Sequence, residues 1–171
     1  MIQEKMQEAI NDQINAEIFS AYLYLSMSAY FQNEGYTGFA KWMELQAAEE
    51  FSHARKFYNY IYERGGRVTM KAIEAPETEW SGILDVFEAT LKHEQKVTEL
   101  INNLVDISME LKDHASFNML QWFVTEQVEE EATAEDIINK LKMLKDHSAG
   151  LFMMDKELGS RVLNPAMFQG M

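Results

Sequence analysis

Residues 65–79, GGRVTMKAIEAPETE, divide an otherwise helical chain into two halves. The segment holds two glycines, several β-branched residues and a proline, and its apolar residues follow no helical repeat. On both sides of it apolar residues return every three or four positions. That spacing predicts one pair of long helices over about 4–33 and 37–64, and a second pair over about 80–109 and 113–145. Gly35 offers a left-handed exit from the first helix, Gly65 and Gly66 end the second, and Asp113 is placed to cap the fourth. The stripe expected to face inward on the first helix runs through Met6, Ile10, Ile14, Ala21, Leu25 and Ser28. A fifth, shorter helix is expected over about 149–159, rich in Leu151, Phe152, Met153, Met154 and Leu158.

Connection lengths turn these helices into a topology. Within each pair only a few residues separate the helices, so each pair forms an antiparallel hairpin. A helix of some thirty residues is roughly 45 Å long at 1.5 Å per residue. The fifteen residues of 65–79 reach about 50 Å when extended, enough to travel the whole length of a bundle. The expectation is an all-α protein: a four-helix bundle with one long crossover and a short fifth C-terminal helix. At 171 residues the chain suits one domain spanning 1–171.

Composition removes several function classes. The net charge of -13 argues against nucleic acid or an anionic membrane as partner, because either would favour a basic face. The absence of cysteine excludes disulfides, thiolate metal sites and cysteine nucleophiles. The start, MIQEKMQEAIND, has no apolar core of a signal peptide, and no apolar run is long enough to span a membrane. A cytoplasmic location is therefore expected.

Against this ordinary background, each long helix carries polar residues on its inward stripe. Glu17 lies between Ile14 and Ala21, and Glu50 and His53 lie between Gln46 and Phe57. Glu94 lies between Thr90 and Val97, and Gln127 and Glu130 lie between Phe123 and Ala134. Spacings of three and four place all of them on the core side. They also keep a register. Glu17 to Glu50 and Glu94 to Gln127 are both 33 residues, while Glu17 to Glu94, Glu50 to Gln127 and His53 to Glu130 are each 77. The hairpin is repeated, and its inward polar positions repeat with it.

Unpaired carboxylates cost several kcal/mol each in an apolar bundle and repel one another. No matching set of inward lysines or arginines appears on these stripes. Bound cations resolve the conflict by neutralising the acids and using them as ligands. A glutamate from each of two helices with a Glu-x-x-His pair is the pattern of di-iron and di-manganese bundles. An oxygen-rich set with one imidazole suits iron or manganese better than copper or structural zinc.

The motifs AAEEFSHA (47–54), HEQK (93–96) and EQVEEEA (126–132), with Glu17 and Tyr24, resemble those of the prokaryotic non-haem ferritins over nearly the whole chain. The resemblance implies a ferritin-like fold and a shell of twenty-four chains. Such a shell has ferroxidase activity, oxidising Fe²⁺ with O₂ or H₂O₂ and storing ferric mineral. It also implies Glu17, Glu50 and His53 as ligands of a first iron, with Glu50 bridging to a second held by Glu94 and Glu130 beside Gln127. Glu49, Glu126, Glu129 and Glu130 resemble a third iron site. Tyr24 and Trp122 resemble an aromatic pair able to supply electrons, and the fifth helix resembles one that lines four-fold pores. The methionines read mostly as core filler, with Met153 and Met154 the two that could line such a pore.

Three departures stand beside that resemblance. Phe51 occupies the position of the haem-ligating methionine of bacterioferritin, so no haem is expected. Gln127-x-x-Glu130 replaces the second Glu-x-x-His of bacterioferritin and rubrerythrin, which predicts a weaker, more labile second iron. Phe117 and Leu120 stand near where animal shells line three-fold pores with acids. Outside the constellation, Glu131 and His93 read as solvent-facing, and His114 and His147 as helix-end residues. Two competing readings are a di-metal redox enzyme acting on an organic substrate or peroxide, and a metal-free helical interaction module. The second would leave the inward acids unexplained.

Overall fold

A computed structural model describes residues 1–145 and 147–163. It contains five helices: α1 (Glu4–Glu34), α2 (Thr37–Glu63), α3 (Ile83–Glu110), α4 (His114–Leu144) and α5 (Ser148–Gly159). No strand occurs among the described residues. α1 packs on α2 and α3 on α4, while α1 meets α3 and α5 rests chiefly on α2. The fold is thus the four-helix bundle with a long crossover and a short fifth helix.

The connections explain the boundaries. α1 ends where Gly35 takes φ 82°, and Tyr36 N–H reaches back to the Phe31 carbonyl at 2.9 Å. This is the left-handed cap that a side chain would strain. At the start of α4 the Asp113 carboxylate accepts from Ser116 N–H at 3.1 Å, as a capping aspartate should. Arg64, at the end of α2, donates to both Asp113 oxygens at 3.1 Å and so ties the second hairpin's turn to the first hairpin. The third helix begins at Ile83 rather than near Trp80. Ser81 N–H and Oγ both donate to Asp85 at 2.8 and 3.0 Å, and Gly82 at φ 149° holds the backbone outside the helix. At α5, His147 Nδ1 caps by accepting from Gly150 N–H at 3.1 Å.

The crossover runs beside α1 from one end of the bundle toward the other. Arg67 N–H donates to Gln7 Oε1 at 2.8 Å, Thr69 N–H donates to Asn11 Oδ1 at 2.8 Å, and Ser26 Oγ donates to the Glu77 carbonyl at 2.6 Å. From Gln7 to Ser26 is roughly 28 Å of helix at 1.5 Å per residue. An extended strap whose own backbone groups lack a ladder is satisfied this way by α1 side chains.

Two apolar clusters fill the bundle. One joins Tyr24, Met27 and Phe31 of α1 to Phe39 and Met43 of α2, Phe87 of α3, Ile138 of α4 and Met154 of α5. The other joins Met6, Ile10 and Ile14 to Phe57, Ile61, Ile101, Leu104 and Phe123. In it Phe57 and Phe123 stack with centroids 3.9 Å apart and planes at 11°. Each such ring withdrawn from water contributes about 1.5–3 kcal/mol.

Several expectations change here. Leu25 is half exposed, and the inward stripe instead passes through Tyr24, Met27 and Phe31. Leu25 sits about 100° around the helix from Tyr24, and both cannot face the core. Met154 belongs to the core and only Met153 is exposed, since neighbours on a helix point in different directions. Leu120 is fully buried in the second cluster, so it lines no opening.

Candidate metal centre

Between the two apolar clusters lies a polar layer. Glu17, Glu50, His53, Glu94 and Gln127 are all buried, and Glu130 is half-buried beside them. One ligand atom each from Glu17, Glu50 and His53 lie within 4.8 Å of one another. No other trio of potential ligands among the described residues gathers as closely. Their spacing explains it: Glu50 and His53 share one face of α2 at i and i+3, and Glu17 faces them from α1.

Hydrogen bonding in this trio is incomplete. Gln13 Nε2 donates to Glu17 Oε1 at 2.9 Å, and His53 Nδ1 lies 3.5 Å from Glu50 Oε2. Glu17 Oε2, Glu50 Oε1 and His53 Nε2 have no partner at all. Among the described residues the one other buried side-chain atom in that state is Trp80 Nε1. Buried polar atoms are almost always paired, so three orphans on residues that already cluster mark a place prepared for something else. Two carboxylate oxygens and an imidazole nitrogen are the donors a divalent transition metal takes.

The opposite side is hydrogen-bonded. Tyr24 OH donates to Glu94 Oε1, and Gln127 Nε2 donates to Glu94 Oε2 at 3.1 Å. Gln46 Nε2 donates to Glu130 Oε2 at 2.5 Å. Trp122 and Phe123 close the layer edge-on to the His53 ring at 5.4 and 5.9 Å. Lys56 lies 3.3 Å over the Trp122 ring, and its burial there lowers its pKa against the opposing pull of Glu126.

The electrostatics follow from burial. Burial first, and then the neighbouring Glu50, push Glu17 well above the usual carboxylate range. Glu50 is raised well above it by burial and then by Glu94 and Glu130. Burial raises Glu94, and burial with Glu94 pushes Glu130 up to about 8. Tyr24 is also pushed well up, chiefly by burial and by Glu94, so its phenol stays protonated and serves as a donor. A layer that resists collecting negative charge in this way accepts it when a cation arrives.

The remaining candidate residues differ in exposure, although the Glu49 carboxylate acts on both Glu126 and Glu130. Glu49 is buried, but it accepts a hydrogen bond from Arg161. Glu126 is half-buried and Glu129 exposed. Glu131 turns toward α3 and accepts from Thr98 Oγ1, so it is half-buried rather than solvent-facing. His93 is half-buried too: it meets Ser20 Oγ at 2.8 Å and stands edge-on to Tyr24 at 6.0 Å. Burial holds it at about 4, which leaves it neutral at pH 7. The 100° turn from Glu94 points His93 at α1, not at water. Gln13 and Arg161 escaped the sequence reading, as did the role of Gln46, which it named only as a marker of the inward stripe. The two glutamines lie on the inward faces and were open to it, whereas Arg161 lies outside every periodic stretch.

A bundle with inward carboxylates at these positions defines the ferritin-like class, and comparison with known proteins agrees. A Ferritin-like domain model matches residues 7–144, and the chain belongs to the ferritin family. A bacterial non-heme ferritin of Bacteroides fragilis is 49% identical over 161 residues, covering 94% of this chain and 100% of the relative. One from Staphylococcus aureus is 43% identical over 164 residues, covering 96% and 99%. Among solved structures, the open pore ferritin of Archaeoglobus fulgidus is 51% identical with a TM-score of 0.94, covering 95% of this chain and 100% of that one. Its engineered closed form has a TM-score of 0.95 at 51% identity, covering 96% and 100%.

Proposed function

We propose that the chain, as one domain spanning 1–171, is the subunit of an iron-storage shell with ferroxidase activity. Its substrates are Fe²⁺ and O₂ or H₂O₂, and its product is ferric mineral held inside a shell of twenty-four copies. The observation that carries this reading is the close cluster of Glu17, Glu50 and His53, each with one buried atom left unpartnered. Family membership supports it independently.

In this reading Glu17, Glu50 and His53 hold the first Fe²⁺. Glu50 also faces the second, held by Glu94 and Glu130 with Gln127 alongside. Paired Fe²⁺ can deliver two electrons together, so no one-electron-reduced oxygen species is released. Carboxylates favour Fe³⁺ over Fe²⁺ because they are hard, charged donors. The high proton affinity of the acidic layer means that iron entry expels protons. Tyr24, hydrogen-bonded to Glu94, and Trp122, beside His53, stand where an aromatic electron donor would act. Glu126 and Glu129, with Glu130, form an acidic path by which iron leaves the centre, and Glu49 joins it only when Arg161 is displaced.

A cytoplasmic location fits an acidic, cysteine-free chain. No helix among the described residues is long and apolar enough to cross a membrane. Neither nucleic acid nor membrane is proposed as a partner. Haem is not proposed either, because Phe51 points outward and offers no sulfur ligand.

The test is aerobic loading of the purified protein with Fe²⁺, followed by sizing and iron analysis. The reading expects a particle of roughly half a megadalton, a closed homo-oligomer, that accumulates many irons per chain. A dimer holding only a pair of metals per chain would overturn it in favour of a di-metal enzyme.

A further inference from the structure

The cation facing Glu49 comes from beyond α5. Arg161 Nη2 donates to Glu49 Oε2, and its Nη1 donates to Gln46 Oε1 at 2.8 Å. The guanidinium carbon lies 4.9 Å from the Trp42 ring centroid. Trp42, Gln46 and Glu49 are spaced by four and three along α2 and so present one face to it. Gln46 then passes the contact inward, because its amide N–H₂ donates to Glu130 Oε2 at 2.5 Å. One guanidinium is thus joined directly to Glu49 and, through one amide, to Glu130.

Helix packing determines where Arg161 stands. Asp155 Oδ1 accepts from Gly38 N–H and Phe39 N–H, both at 2.9 Å, and so caps the start of α2 from α5. Lys41 Nζ donates to the Gly159 carbonyl at 2.9 Å. Gly38 and Gly159 are in backbone contact: a Cβ on Gly38 would come within 1.7 Å of the Asp155 carbonyl oxygen, and one on Gly159 within 2.9 Å of Gly38 Cα. The end of α5 is therefore seated against the start of α2, two residues before Arg161.

We propose that Arg161 is a built-in cation that occupies the place of a third metal ion at Glu49 and is linked through Gln46 to Glu130. It is a positioning residue: it touches no substrate at the Glu17–Glu50–His53 trio. A divalent ion at Glu49 would meet a guanidinium already hydrogen-bonded to the same carboxylate, and like charges cannot share that space cheaply. The ion must therefore displace the side chain. The third ion and the seating of the segment after α5 thereby exclude each other. This inference rests on the di-metal reading above, which it deepens.

Redox-stable Co²⁺, titrated into the assembled protein and located by anomalous diffraction, tests it. The unaltered protein should bind about two ions per chain, at the positions a di-metal bundle provides, and none at Glu49. Arg161→Gln should add an ion at Glu49, with affinity there raised by about tenfold or more, since an unpaired buried carboxylate is left behind. Adding Glu49→Gln to it should abolish that ion. Arg161→Met keeps the stem over Trp42 and repeats the test should the glutamine variant fail to assemble. An ion at Glu49 of the unaltered protein with Arg161 still paired, or no gain in either variant, would overturn the proposal. No ion at Glu17, Glu50 and His53 in any of the proteins would instead overturn the di-metal reading, and the proposal with it.

Discussion

The two helical hairpins repeat each other in register, yet they present their inward polar groups in opposite states. On α1 and α2, one atom each of Glu17, Glu50 and His53 is left without a partner. On α3 and α4, Glu94 is held by Tyr24 and Gln127, and Glu130 by Gln46. The first hairpin offers ligands ready to bind. The second offers ligands whose present hydrogen bonds an incoming ion must replace. A single change of residue type accounts for much of this: the counterpart of Glu50 is Gln127, an amide that donates as well as accepts. Two half-sites with one repeated pattern thus need not have equal affinity, and the one already hydrogen-bonded is suited to releasing its ion.

The comparison can be broken most severely on the first hairpin. Glu50→Ala or His53→Ala should slow Fe²⁺ oxidation by about 10- to 100-fold, the usual cost of disturbing a metal ligand set. Stopped-flow absorbance of the oxidation checks it, and near-normal rates would remove the first hairpin from the chemistry. On the second hairpin, Glu130→Ala should slow oxidation and iron turnover by about tenfold. Unchanged kinetics would exclude Glu130 from the iron path.

Gln127→Glu sharpens the contrast by making the hairpins alike. It should tighten the second ion by several-fold while lowering the melting temperature of the metal-free protein, because two buried carboxylates then face each other. Titration of Co²⁺ and thermal scans would check the two signs separately. The smallest effect is on pH dependence. Glu130 is raised from its ordinary 4.5 to about 8 by burial and by Glu94. Between those values the folded chain keeps a proton that the unfolded chain has lost. The metal-free protein should therefore lose stability as pH rises from about 5 to about 8, with this contribution intact below that window. Glu130→Gln should flatten the slope. Metal affinity should run the other way, rising with pH as protons are expelled.

Much of the bundle was legible because its helices are long and their apolar residues strictly periodic. The layer of inward acids was legible for the same reason, since Glu17, Glu50, His53, Glu94 and Gln127 interrupt stripes that are otherwise apolar. Short-range ambiguity defeated finer points. Leu25 and Met154 each have a helical neighbour that competes for the core, and periodicity alone did not choose between them. His93 and Glu131 lie off the central stripe, and their burial depends on Ser20 and Thr98 on other helices. Arg161 was beyond reach: it lies 112 residues from Glu49, in a segment with no repeat, and its placement depends on a glycine contact between α2 and α5. Long-range pairings of single charged residues leave no pattern along the chain.

The central claim is that the Glu17–Glu50–His53 side fills before the Glu94–Glu130 side. Crystals given Co²⁺ in increasing concentration, with occupancy read from anomalous density, test this most directly. Density is expected first among Glu17, Glu50 and His53, and only at higher concentration between Glu94 and Glu130. Density appearing first between Glu94 and Glu130, or at neither place, would contradict it.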